Sequence, residues 1–123
     1  AENVQTNSAV LIMEQLSKLP PNVPAIILGD FNATPKQNCY GVFTGENDKY
    51  SFKGPWFKNA ATKPLLGTYH GFKGRTDGDH IDWILYRGNI APANYNVEVS
   101  TFEGIYPSDH FPVYAKFRWV DKF

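Results

Sequence analysis

The sequence predicts an α+β fold, a mostly antiparallel or mixed sheet covered on one face by helix. Three observations predict it. Ala9, Ile12, Met13, Leu16 and Leu19 recur at three- and four-residue spacing, Ala25–Leu28 is a short continuous apolar run, and the second half alternates apolar and polar residues at period two. A helical pattern followed by strand patterns calls for layers that share one core.

Taken in order, the apolar spacing predicts one amphipathic helix over Thr6–Leu19. Thr6, Asn7 and Ser8 are cap candidates, and Pro20-Pro21 is the stop. Ala25–Leu28 suits a buried central strand. Residues 33–66 are weakly patterned: Cys39–Phe43 fits a short helical turn, and Trp56-Phe57 an anchor for a long loop. Gly71–Asp79 is a glycine-rich turn feeding a strand in which Ile81, Trp83 and Leu85 alternate with Asp82, Ile84 and Tyr86. Two further strands are predicted where Tyr95, Val97 and Val99, and then Phe111, Val113, Ala115, Phe117 and Trp119, take alternate positions. His80 reads as filler at a strand edge, and Cys39 as a small buried apolar residue.

The chain has 123 residues, 42% of them hydrophobic and 15% aromatic, which suits a packed core in one domain or part of a larger one. Twelve basic and twelve acidic residues cancel. Zero net charge supplies no broad cationic field for long nucleic acid. The single cysteine cannot form an internal disulfide. No run approaches the length of a membrane span, and the sequence leaves the compartment open.

Three polar groups stand at predicted strand ends. Asp30 and Asn32, in "GDFNATP", are two residues apart and share one side if the strand persists. They are equally a pair of turn formers before Pro35. Asp82, in "HIDWILY", is a carboxylate among apolar residues and needs a partner such as His, Arg or a metal. Asp109 and His110, in "YPSDHFPVY", are adjacent in a loop and point in different directions. One can face a metal while the other meets a substrate or a carboxylate. Each also reads as an ordinary turn or loop group.

Together, "ILGDFNATP", "GTYHGF", "HIDWILY" and "YPSDHFPVYAKF", in this order and spacing, resemble the endonuclease/exonuclease/phosphatase superfamily, the deoxyribonuclease-I-like fold. The resemblance covers most of the chain. It implies a sheet-and-helix half of a four-layer α/β-sandwich, and a hydrolase acting on phosphate esters, as a nuclease, another phosphodiesterase or a phosphatase.

The resemblance also implies roles. Asp30 would orient or deprotonate the attacking water, and Asn32 would bond the water or a phosphate oxygen. Asp109 would ligate Mg²⁺, with Mn²⁺ as an alternative. His110 would contact the phosphoryl oxygen or act as acid–base group, with Asp82 fixing its tautomer. Tyr69 and His70 would border the substrate pocket. The chemistry is coherent, because a hard cation on carboxylate ligands offsets charge gathering on phosphoryl oxygens. Substrates served by the superfamily include nucleic acid, lipid head groups and small diesters.

The superfamily's members are about twice as long, and their first half supplies a metal-binding Glu and an Asn. Glu2 and Glu14 precede "GDFN" but in helical sequence. Residues 1–123 are therefore expected to be the C-terminal portion of such a domain, inactive without the N-terminal half. An uncovered apolar sheet face is expected to make the isolated chain self-associate. The alternative is a non-catalytic pairing or binding module of the same fold, with these polar residues scattered.

Overall fold

The computed structural model describes residues 2–45, 49–56 and 65–120. Its elements run α1 (Glu2–Leu16), β1 (Ala25–Asp30), α2 (Asn38–Thr44), β2 (Asp82–Arg87), β3 (Ile90–Val97) and β4 (Val113–Trp119). β1 pairs antiparallel with β2, and β3 with β4, as two two-stranded sheets. The second sheet is bulged between Pro92 and Asn94, where proline has no N–H for a ladder.

α1 begins earlier than its caps suggest, so Thr6, Asn7 and Ser8 lie within the helix. It ends at Leu16, where Arg87 takes over a carbonyl left open by the last turn: Nη2 donates to Leu16 O at 2.6 Å while Nη1 donates to Tyr50 O at 2.9 Å. Leu19, expected on the buried helical face, lies past the helix and is exposed. Ala9 carries the helix's contact with the core, joined by the partly buried Met13 and Leu16.

Opposed residues of an antiparallel pair share a face. Ile27 with Leu85, and Gly29 with Trp83, therefore face α1 and α2, while Ile26 with Tyr86, and Leu28 with Ile84, face the other way. On the helix side Trp83 is fully buried, with Phe31 stacked on it at 4.4 Å and Tyr40 edge-on at 5.2 Å. Burying one such ring contributes about 1.5–3 kcal/mol, with roughly 0.5–1.5 kcal/mol more from each well-placed aromatic pair. α2 covers the expected Cys39–Phe43 turn and buries Cys39, Tyr40 and Phe43.

The far face of β2 differs from expectation. Ile84 and Tyr86 are buried, because β4 packs over β2 and places Phe117 5.3 Å from the Tyr86 ring. The uncovered apolar surface lies instead on β1 and β4, where Leu28 is 69% and Trp119 72% exposed.

His80 is also corrected. It is buried, with Nδ1 2.7 Å from Leu66 O and Nε2 2.7 Å from Tyr95 Oη. The ring therefore donates from Nδ1 and accepts the tyrosine hydroxyl at Nε2. Burial pushes its pKa down and keeps it neutral. Trp56 packs against His80 and Tyr95 as an internal anchor, whereas Phe57 lies outside the described residues.

Candidate active site

β1 stops at Asp30 because its own side chain turns the chain. Asp30 Oδ1 accepts the Asn32 N–H at 2.9 Å, and Asn32 sits at φ +50°, a left-handed conformation asparagine tolerates. The strand therefore does not persist to Asn32, and the shared strand face expected for the pair is lost. The turn reading of "GDFN" describes the backbone, yet the second carboxylate oxygen is left over for other work. Gln5 of α1 clasps the turn from outside, donating from Nε2 to Asn32 O.

Antiparallel pairing sets Asp82 directly opposite Asp30. Like charges at opposed positions repel, and His110 lies between them. Its Nδ1 is 2.7 Å from Asp82 Oδ2, and its Nε2 is 3.9 Å from Asp30 Oδ2 and 3.9 Å from Asp109 Oδ1. Asp82 is the most enclosed of the three carboxylates, with 16% side-chain exposure against 40% for Asp30 and 45% for Asp109. The short bond to Asp82 raises the His110 pKa, burial opposes the rise, and the charges of Asp82, Asp30 and Asp109 add to it.

In the neutral ring, Nδ1–H donates to Asp82, which leaves the Nε2 lone pair toward Asp30 and Asp109. The ring is fixed by its neighbours. Ser108 Oγ accepts the His110 N–H at 3.1 Å, and Tyr69, bridged to His110 through the backbone, sets its ring edge-on at 5.3 Å.

Asp30, Asp82 and His110 each offer a ligand atom, all within 4.8 Å of one another. Among the described residues no lysine or arginine pairs with Asp30, Asp82 or Asp109. Three carboxylates around one imidazole make an acidic, oxygen-rich donor set, which fits a hard divalent cation.

The structure thus brings Asp30, Asp82, Asp109 and His110 together, with Tyr69 half-exposed beside them. Asn32 joins through its backbone. His70 is placed differently from the substrate contact expected of it. It is 5% exposed, stacked on Phe111 at 4.1 Å, and accepts the Gly74 N–H at Nδ1. Its backbone N–H, like that of Gly71, donates to Asp109 O, so the segment braces the Asp109 loop instead. Gln5, Thr68 and Ser108 escape sequence reasoning. Each is an unremarkable polar residue whose partner is reached only through the fold or a local turn.

Several solved structures share this architecture. An endonuclease/exonuclease/phosphatase family protein of Bacteroides thetaiotaomicron is 25% identical with a TM-score of 0.77, over 95% of this chain and 44% of its own. A mannosyl-6-phosphatase of the same organism is 26% identical with a TM-score of 0.77, over 97% of this chain and 47% of its own. A family member from Bacteroides vulgatus, 24% identical with a TM-score of 0.76, shares the fold over 97% of this chain and 45% of its own. The chain spans less than half the length of these structures. Curated proteins yield no match. The profile of the endonuclease/exonuclease/phosphatase family matches residues 6–110, and the chain belongs to that family.

Proposed function

We propose that this chain carries the acid–base side of a metal-dependent phosphoesterase site, completed by the other half of the fold. The observation that carries the reading is the imidazole of His110, tied at Nδ1 to Asp82 and turned at Nε2 toward two further carboxylates.

In this reading Asp82 fixes the His110 tautomer and stabilises the charged ring, and His110 exchanges a proton at Nε2 with the attacking water or a phosphoryl oxygen. Asp30 Oδ2 accepts a hydrogen bond from the water and sets its line of approach. Asn32, on the same turn, bonds the water or a phosphate oxygen. Asp109 would hold Mg²⁺ or Mn²⁺, whose chemistry is to offset negative charge on the phosphoryl group. Tyr69 flanks the substrate. The mannosyl-6-phosphatase neighbour makes sugar phosphates the first substrates to try, ahead of nucleic acid, lipid head groups and small diesters. A non-catalytic module predicts scattered polar groups, and their convergence at one sheet end favours the enzyme.

The test is hydrolysis by the chain alone and by a protein holding both halves of the fold, with Mg²⁺ or Mn²⁺, on phosphomonoesters, sugar phosphates and phosphodiesters. The two-half protein is expected to be active and the isolated chain inactive. In the active protein His110→Ala should cost about 10²–10⁴-fold in rate, as for loss of a general acid or base. A loss of only a few-fold, or full activity in a chelator, would overturn the reading.

A further inference from the structure

Thr68 makes no hydrogen bond to Asp30 or to His110 itself, yet it stands beside the segments that carry them. Its side chain is fully buried. Oγ1 accepts two consecutive backbone donors at the head of β2, the Ile81 N–H at 3.0 Å and the Asp82 N–H at 3.1 Å, and its own proton points to Asp79 O at 3.5 Å. Its backbone N–H also donates to Asp79 O, at 2.9 Å. A hydroxyl has one donor and two acceptor sites, and here all are used.

On the other side, Thr68 O accepts the Phe111 N–H at 2.6 Å, directly after His110. The third segment is one residue away. Ile81 O accepts the Phe31 N–H at 2.9 Å, between Asp30 and Asn32. The β2 start and the Asp109–His110 loop are thus tied directly through Thr68, and the β1 end is tied to them through Ile81, whose N–H the Thr68 hydroxyl accepts.

We infer that Thr68 is a positioning residue of this site: its hydroxyl sets the start of β2 and its carbonyl sets the His110 loop, so that it fixes how Asp82 meets the imidazole. The inference deepens the phosphoesterase reading and rests on it for its functional meaning. A hydrophobe of the same shape at this position fills the space but leaves the partly buried Ile81 and Asp82 amides without this acceptor, a cost that drives local rearrangement. The displaced residue is Asp82, whose carboxylate must stay 2.7 Å from His110 Nδ1.

The experiment is NMR on this chain, comparing wild type with Thr68→Val and Thr68→Ser. Imidazole ¹⁵N shifts report which ring nitrogen of His110 carries the proton, amide exchange reports the head of β2, and thermal melting checks the fold. At a pH high enough for the ring to be neutral, wild type should show the Nδ1–H form. Thr68→Val should move the ring toward Nε2–H and speed exchange of the Asp82 amide about tenfold or more. Thr68→Ser should restore both. An unchanged ring in a folded Thr68→Val, or a Thr68→Ser as altered as Thr68→Val, would overturn the inference. If Thr68→Val does not fold, wild-type exchange decides: protected Ile81 and Asp82 amides uphold the clamp, and free exchange at either refutes it. Absence of hydrolysis by a two-half protein would count against the phosphoesterase reading, and would leave these ring and amide results standing.

Discussion

Asp82→Asn isolates the charge behind His110. The amide keeps an oxygen able to accept from Nδ1–H, so geometry is preserved while the carboxylate's charge is removed. In the native protein the 2.7 Å contact is partly enclosed, with 26% exposure of the His110 side chain and 16% of Asp82. A hydrogen bond to a charged group contributes about 1.5–3 kcal/mol. Losing the charge but not the bond should cost roughly half of that.

The His110 pKa is raised in the folded state. Its stabilising contribution is therefore complete below the unfolded value of about 6.5 and is lost as pH rises through the folded value. Urea unfolding of wild type and Asp82→Asn should differ by about 1–1.5 kcal/mol more at roughly pH 5.5 than at roughly pH 8.5. The His110 ring titration, followed by NMR, should move to lower pH in the variant, because the charge of Asp82 is part of what raises it. An equal loss at both pH values, or a larger one at the higher pH, would refute the pairing of a protonated His110 with Asp82.

Mg²⁺ should bind this chain only weakly, with an affinity poorer than about 1 mM, because Asp82 is engaged by His110 and the remaining carboxylates are hydrated, while Mg²⁺ sheds its waters reluctantly. Calorimetric titration checks this, and micromolar affinity would mean a missing ligand within the chain. The chain should also self-associate through the exposed β1 and β4 residues, where Ile26 and Trp119 line an open groove with Pro24, Ile90 and Phe117. Light scattering across a concentration series should show growing mass, which Leu28→Lys with Trp119→Lys should suppress. A monodisperse wild-type monomer would refute it.

The order of residues along the chain was enough to single out the candidate groups. Asp30, Asp82, Asp109 and His110 stand out because carboxylates and a histidine at strand ends are costly or idle without partners, and their order along the chain carries the family's pattern. It also placed β2, β4 and the α2 turn, since short-range periodicity is a local property, but it set the middle strand too late, on Tyr95–Val99, where β3 runs Ile90–Val97.

Tertiary structure decided how those groups meet. The register that opposes Asp30 to Asp82 is a long-range pairing between residues on either side of a weakly patterned stretch, and no local signal encodes it. The same holds for β2. Its alternation predicts one open face, but Phe117 of β4 covers Tyr86 from a distant part of the chain. His80 reads as filler at a strand edge and His70 as a pocket residue, yet burial against Trp56 and Phe111 turns both inward. Thr68 is the extreme case. It stands inside "GTYHGF", but nothing local marks its hydroxyl, whose place beside the start of β2 and the His110 loop exists only once those segments have met there, because hydrogen-bond partners are chosen by proximity in space and not by distance along the chain.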